Sequence, residues 1–137
     1  MSKSTPIETF PSHETLGREW IVEARGCEAQ ALRDLPTLRG LFRRIIEELG
    51  LNEVQPSTWH VFPGSGGITG MSLLAESHLT CHSSPEHGTI CLNLFCCRPR
   101  PRWDFEGGLA EELGAEEVHV RTLARRYVPS AAEVTTP

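Results

Sequence analysis

The chain has 137 residues, of which 39% are hydrophobic and 23% are charged, and its formal net charge is −5. This length suits one domain around a single core, and the apolar content is too high for a disordered chain. The negative charge argues against nucleic-acid binding, because nucleic-acid-binding proteins usually present a basic face.

Apolar segments and cysteines indicate the compartment. No apolar run approaches the ~20 residues that a membrane-spanning helix needs, and the N-terminus lacks the apolar core of a signal peptide. Five cysteines without a secretory signal favour free thiols over a disulfide framework. We therefore expect a cytoplasmic protein without a membrane partner.

The first third of the chain predicts one strand followed by a strong helix. Residues 1–17 show no sustained period and are expected to form a flexible tail. A strand is predicted over 18–26 and a short helical segment over 28–32. Apolar residues then recur at helical spacing between Pro36 and Gly50, which are typical start and stop residues. One face of this helix must pack on an apolar partner, for which a sheet is the simplest candidate.

The remainder of the chain predicts mostly strands. Strands are predicted over 58–62, 68–76 and 89–97, with 78–82 either a continuation of the strand over 68–76 or an adjoining strand. A helix over 103–113 and a last, partly exposed strand over 118–127 follow. The glycine-rich loop 63–67 lacks the lysine of a phosphate-binding P-loop and leads into a strand, which argues against that function. Residues 128–137 are expected to be a tail, so the single domain covers 18–127.

Histidines and cysteines are concentrated between residues 78 and 97, which raises the question of a metal site. There is no Cys-x-x-Cys pair, and His78 and His82 share one face of an extended strand but lie far apart. Both observations argue against zinc. A serine hydrolase is also disfavoured, because Ser77 does not lie in a Gly-x-Ser-x-Gly elbow and no acidic partner is evident. In the strand over 89–97, alternation places Cys97 away from the most apolar face.

The bond between Glu76 and Ser77 suggests a different chemistry. A serine hydroxyl can attack the carbonyl carbon of the preceding peptide bond and convert that bond into an ester. β-Elimination then releases the glutamate carboxylate, and the dehydroalanine that remains hydrolyses to a pyruvoyl group. The reaction needs a donor for the oxyanion and a base for the Cα proton. The Thr69 hydroxyl and a nearby histidine are candidates for these tasks.

The segment from Gly67 to Gly88, with Ala75-Glu-Ser-His78 at its centre and a following strand that ends in Cys97, resembles the core of the prokaryotic S-adenosylmethionine decarboxylase proenzymes. The similarity is dense over 64–97, and the flanking elements occur in the family's order. The resemblance implies an α+β fold, a two-layer sandwich with a largely antiparallel sheet and helices on one face. It also implies a homodimer of αβ units, with active sites near the interface.

The same resemblance implies that the chain processes itself. Ser77 becomes a covalent pyruvoyl group, and cleavage leaves a β chain of residues 1–76 and an α chain of residues 77–137. His82 corresponds to the histidine that takes part in processing. Thr69 stands where the family usually has a serine that assists it, and the hydroxyl is kept.

Three further positions are implied in decarboxylation. Cys97 corresponds to the residue that returns a proton to the substrate carbon, Glu86 to an acid that binds the ribose hydroxyls, and Phe62 is expected near the base. The pyruvoyl group forms a Schiff base with the substrate amine and accepts the electrons left by carbon dioxide, as pyridoxal phosphate does elsewhere. The implied activity is decarboxylation of S-adenosylmethionine for spermidine synthesis, with no metal and no pyridoxal phosphate.

The chain departs from the family near the expected substrate pocket. Where the family commonly has His-Thr-Trp-Pro-Glu, this chain has His82-Ser-Ser-Pro-Glu86 and so lacks an aromatic side chain. The loop 63–67 is also one residue longer than usual. The alternatives are therefore a pyruvoyl-dependent decarboxylase of another amino acid, such as arginine or ornithine, and an unprocessed, non-catalytic homologue.

Overall fold

A six-stranded antiparallel sheet is the framework of the fold in the computed structural model, which describes residues 16–128. The strands are β1 (Leu16–Arg25), β2 (Thr58–Val61), β3 (Ile68–Leu74), β4 (Ser77–Ser84), β5 (Thr89–Cys96) and β6 (Glu117–Arg126). Their order across the sheet is β2-β3-β4-β5-β1-β6. The helices are α1 (Ala29–Leu32), α2 (Leu35–Glu48) and α3 (Phe105–Leu113). The predicted α+β class is confirmed.

The two faces of the sheet differ in character. On one face, apolar side chains of the strands form a single buried core with α2 and α3, and Trp20 and Leu79 are fully buried there. On the other face, Met71 is 58% exposed and Leu73 is 51% exposed. The prediction of helices on one face is confirmed, and the opposite face is open within the described chain. No helix in that part of the chain is long and apolar enough to cross a membrane.

Helix α2 begins earlier than its predicted start. The Asp34 carboxylate caps it by accepting a hydrogen bond from the Thr37 backbone N–H at 3.1 Å, and Pro36 lies in the first turn. The helix ends at Glu48, just before Gly50, whose φ of 65° is the left-handed conformation that glycine adopts most easily. The predicted helix between Pro36 and Gly50 is therefore confirmed.

Arg44 connects α2 to α3. Its guanidinium contacts the carboxylates of Glu48 at 3.0 Å, Glu111 at 2.8 Å and Glu112 at 3.1 Å, and these hydrogen bonds raise the pKa of Arg44. The Trp103 indole N–H donates to Glu48 at 2.8 Å, and the Arg44 guanidinium lies over the Trp103 ring. This network fixes α3 beside α2 on the covered face of the sheet.

Two predicted boundaries need correction. The first strand includes Leu16 and Gly17, which were predicted to belong to the tail; Leu16 is buried and pairs with Arg126. The strands predicted over 68–76 and 78–82 form the β3–β4 hairpin, with Ala75 and Glu76 as its two-residue turn. The rest of the N-terminal tail lies outside the described residues, as does most of the C-terminal tail.

The buried Ser83 hydroxyl joins three elements. It donates to the Leu32 carbonyl oxygen at 2.7 Å and accepts from the Ile68 backbone N–H at 2.9 Å. Ser83 is only 1% exposed, so neither backbone group has water as an alternative partner. The hydroxyl therefore holds β4 against both the end of α1 and the start of β3.

Replacing Ser83 with alanine should lower the free energy of unfolding by about 2 kcal/mol, because one buried acceptor and one buried donor lose their partner. Urea denaturation measures the change. Ser84→Ala is the matched control, since the Ser84 hydroxyl makes no hydrogen bond within residues 16–128, and it should unfold like the wild type. Equal stability of the two variants would contradict this role for Ser83.

Candidate active site

The Glu76–Ser77 bond lies where the β3–β4 turn enters β4. Ser77 pairs with Leu74 across the hairpin, and on its other side it pairs with Cys96 of β5. The Glu76 carbonyl oxygen accepts a hydrogen bond of 2.9 Å from the Cys97 backbone N–H. The carbonyl is therefore fixed and polarised by a donor from the neighbouring strand.

The Ser77 side chain points toward the covered face of the sheet. It is 7% exposed, and its oxygen makes no hydrogen bond of standard geometry within the described part of the chain. Burial raises the pKa of the Cys96 thiol to about 11. The Ser77 hydroxyl lies close enough to this thiol to act in the opposite direction and lower its pKa. Buried polar atoms usually have partners, so an uncommitted hydroxyl beside a polarised carbonyl is unusual.

Cys97 differs from Cys96 in exposure. Cys96 is buried, whereas Cys97 follows the end of β5 and is partly exposed, as the predicted alternation requires. The Cys97 carbonyl oxygen accepts a hydrogen bond from the Tyr127 hydroxyl at 3.1 Å. Both backbone groups of Cys97 are thus held, while its thiol lies at the same end of the sheet as Ser77.

Thr69 and His82 meet on the open face. They are cross-strand partners on β3 and β4, and the distance between Thr69 Oγ1 and His82 Nδ1 is 2.9 Å. The Phe62 ring lies edge-on to the imidazole of His82, with 5.6 Å between ring centres. Sequence analysis assigned Thr69 and His82 to self-processing and Phe62 to substrate binding, and the structure brings these three side chains together.

A pocket of about 300 Å³ adjoins this pair, and we call it the His82 pocket. Its lining residues are Phe62, Pro63, Ser65, Gly67, His82, Ser83, Ser84 and Glu86. The two predicted substrate-binding residues, Phe62 and Glu86, therefore share one cavity with His82. Ser84, at the position where the resemblance implies an aromatic residue, lines the pocket with a small polar side chain.

The Ser77 end and the His82 pocket are separate within one chain. Ser77 and His82 are five residues apart on β4, a distance of about 16 Å at ~3.3 Å per residue. They also point to opposite faces, because the separation is an odd number of residues. Ser77 and Cys97 form one cluster, and Thr69, His82, Phe62 and Glu86 form the other.

Two side chains at these clusters were not found by sequence analysis. Arg98 Nε lies 2.9 Å from Glu76 Oε1, and the His60 ring lies edge-on to Phe62 with 4.7 Å between ring centres. The spacing of His60 and Phe62 along an extended segment was a usable signal, since residues two apart share a face. Nothing in the sequence pairs Arg98 with Glu76, because they belong to different strand ends.

The described residues offer no obvious metal site. No group of three or more histidine, cysteine, aspartate or glutamate side chains within residues 16–128 is arranged to hold a metal ion. His78 stacks on Phe95 instead, with 5.4 Å between ring centres.

The fold and the two clusters define a class of protein: an α+β sandwich with a serine and a fixed carbonyl at a hairpin turn and a Thr–His pair on its open face. The family model described as S-adenosylmethionine decarboxylase matches residues 18–126. The chain therefore belongs to the S-adenosylmethionine decarboxylase family.

Curated relatives match over most of their length. The S-adenosylmethionine decarboxylase proenzyme 2 of Halalkalibacterium halodurans is 34% identical over 121 residues, which cover 88% of this chain and 94% of that protein. The S-adenosylmethionine decarboxylase proenzyme of Bacillus cytotoxicus is 33% identical and covers 85% of both chains. The proenzyme of Moorella thermoacetica is 31% identical, covering 87% of this chain and 96% of its own.

Proposed function

We propose that this protein is a self-processing S-adenosylmethionine decarboxylase that cuts itself between Glu76 and Ser77. The observation that carries the proposal is the uncommitted Ser77 hydroxyl beside the Glu76 carbonyl, whose oxygen is already held by the Cys97 N–H. Family membership supplies the substrate, because the relatives are named for S-adenosylmethionine. The cytoplasmic location stays a prediction.

The first step is an acyl shift from nitrogen to oxygen. The Ser77 hydroxyl oxygen attacks the carbonyl carbon of Glu76, and negative charge develops on the carbonyl oxygen. The Cys97 N–H, 2.9 Å from that oxygen, stabilises the charge without having to move. The C–N bond then breaks, the nitrogen of Ser77 takes a proton, and the two residues are joined by an ester.

The second step is an elimination that needs a base. Removal of the Ser77 Cα proton expels the Glu76 carboxylate and leaves dehydroalanine, which takes up water and loses ammonia to give the pyruvoyl group. His82 is the proposed base. With its proton on Nδ1 it donates to Thr69 Oγ1, and the Nε2 lone pair is then available to accept a proton.

His82 cannot reach the Ser77 of its own chain, so we propose that it acts on the partner's Ser77 in a homodimer. The open face of the sheet carries exposed apolar side chains, including Met71 and Leu73, that a second sheet would cover. A two-fold axis close to Thr80, midway between Ser77 and His82 along β4, brings each His82 pocket to the other chain's cleavage site. Each active site is then built from both chains.

The same composite site serves decarboxylation. The pyruvoyl group supplies an electron sink for the electrons left when carbon dioxide departs. Glu86 and Phe62 bind the nucleoside part of the substrate in the His82 pocket, and Cys97 donates a proton to the substrate carbon. Its thiol suits this role because it is partly exposed, in contrast to the buried Cys96. With Ser84 in place of an aromatic residue, Phe62 is the aromatic residue of the pocket lining that can stack on the base.

Mixed dimers test the two-chain site. Neither the Ser77→Ala chain nor the His82→Ala chain should be cut when expressed alone. Co-expressed with distinguishable tags, they form a dimer in which the His82→Ala chain receives its base from the partner, so that chain should be cut. Intact-mass analysis of each tagged chain measures the outcome. A His82→Ala chain that stays whole in the mixed dimer, and also in a dimer with a wild-type chain that is itself cut, would place the base in the same chain.

Substrate choice is tested by carbon dioxide release from labelled S-adenosylmethionine, arginine and ornithine. We expect turnover of S-adenosylmethionine alone, and we expect Cys97→Ala to keep self-cleavage but lose at least ~100-fold in turnover, the usual effect of removing a catalytic proton donor. Turnover of arginine or ornithine without S-adenosylmethionine would favour the alternative amino-acid decarboxylase.

A further inference from the structure

Cys97 and Arg98, which are consecutive in the sequence, contact the backbone and the side chain of Glu76, respectively. The Cys97 N–H donates to the Glu76 carbonyl oxygen at 2.9 Å, and Arg98 Nε lies 2.9 Å from Glu76 Oε1. The guanidinium is thus placed next to the bond that the proposed function cuts. Arg98 is 68% exposed and Glu76 is 40% exposed, and such exposed ion pairs contribute little to stability. The ion pair is therefore of interest for where it places the Arg98 guanidinium, next to the proposed cleavage site, and not for its contribution to folding stability.

Cleavage changes the charge at this position. Before cleavage, Glu76 carries one carboxylate, on its side chain. The elimination breaks the bond between Cβ and Oγ of Ser77, and the electron pair of that bond leaves on Oγ, which becomes the second oxygen of a new α-carboxylate on Glu76. One of its oxygens is the atom that Cys97 N–H already holds. The β chain therefore ends in two adjacent negative charges, beside the group that must accept a substrate with a carboxylate of its own.

We propose that Arg98 binds the new α-carboxylate of Glu76 and keeps the end of the β chain docked beside the pyruvoyl group. The proposal rests on the proposed function, since the carboxylate exists only after cleavage. A guanidinium has five N–H donors arranged as a planar fork that suits carboxylates. Within residues 16–128, Nε is committed to the Glu76 side chain, and the two terminal nitrogens have no assigned partner. They are the donors that the second carboxylate requires.

This docking makes Arg98 a positioning residue for two steps. During elimination its positive charge stabilises the leaving carboxylate, which lowers the barrier to pyruvoyl formation. After elimination it neutralises a charge that would otherwise repel the substrate carboxylate. It also keeps Glu76 attached to the Cys97 backbone, and so fixes the residue that is proposed to donate the proton.

Protection of the new C-terminus is a direct readout of this role. The purified, cut protein is treated with a carboxypeptidase of broad specificity, and loss of Glu76 from the β chain is followed by mass spectrometry. Arg98→Gln should lose Glu76 about tenfold faster than wild type, the change expected when one charge-assisted hydrogen-bonded pair is removed. Arg98→Lys keeps the charge and should restore most of the protection.

Two further variants separate the roles of the side chain and the backbone. Glu76→Gln removes the side-chain charge but not the new α-carboxylate, so it should stay protected relative to a free peptide with the same C-terminus. Arg25→Gln is the matched control, since Arg25 is also exposed and has an acidic neighbour, Glu117, away from the cleavage site. It should be digested at the wild-type rate.

The outcomes distinguish this inference from the proposed function. An uncut wild-type chain would overturn both. Two outcomes with a cut wild type would overturn the inference alone. In one, Arg98→Gln is digested within about twofold of the wild-type rate. In the other, Glu76→Gln loses its C-terminal residue to the carboxypeptidase as fast as Arg98→Gln does. If Arg98→Gln remains uncut, a salt series on wild type decides: digestion that accelerates with ionic strength supports an ionic anchor, and a rate independent of salt contradicts it.

Discussion

The hydrogen bond from the Cys97 N–H to the Glu76 carbonyl oxygen is the contact on which the proposed self-processing depends. It exists because β5 is antiparallel to β4 in a register that places Cys96 opposite Ser77. The same register buries the Ser77 hydroxyl beside Cys96 and leaves Cys97 partly exposed. One strand pairing therefore positions three proposed groups: the donor for the oxyanion, the nucleophile, and the proton donor for the later reaction.

The open face of the sheet explains why the remaining groups lie elsewhere. A small domain can cover one face of a sheet with its own helices, and here α2 and α3 do so. The other face keeps its apolar residues exposed together with Thr69, His82 and the His82 pocket. In the proposed dimer, pairing of two such faces would cover that surface and complete the proposed active site in the same event, which would couple assembly to self-processing.

Local periodicity in the sequence was sufficient for most of the strands and the main helix, because it reports which side chains are buried. The members of each cluster were proposed from the resemblance to the decarboxylase family. Neither was sufficient for the relation between the clusters. The interval of five residues between Ser77 and His82 already implied opposite faces of a strand, but only the strand boundaries show that both lie on β4. The pairing of Arg98 with Glu76 and the structural use of the Ser83 hydroxyl depend on contacts between distant segments, for which local patterns carry no signal.

Intact-mass analysis of the purified wild-type protein, beside its Ser77→Ala variant, tests the central claim most directly. The account predicts two wild-type fragments, residues 1–76 and residues 77–137, the second beginning with a pyruvoyl group instead of serine. The Ser77→Ala chain should remain whole. A wild-type chain that stays a single species of 137 residues would contradict the account and favour an unprocessed, non-catalytic homologue.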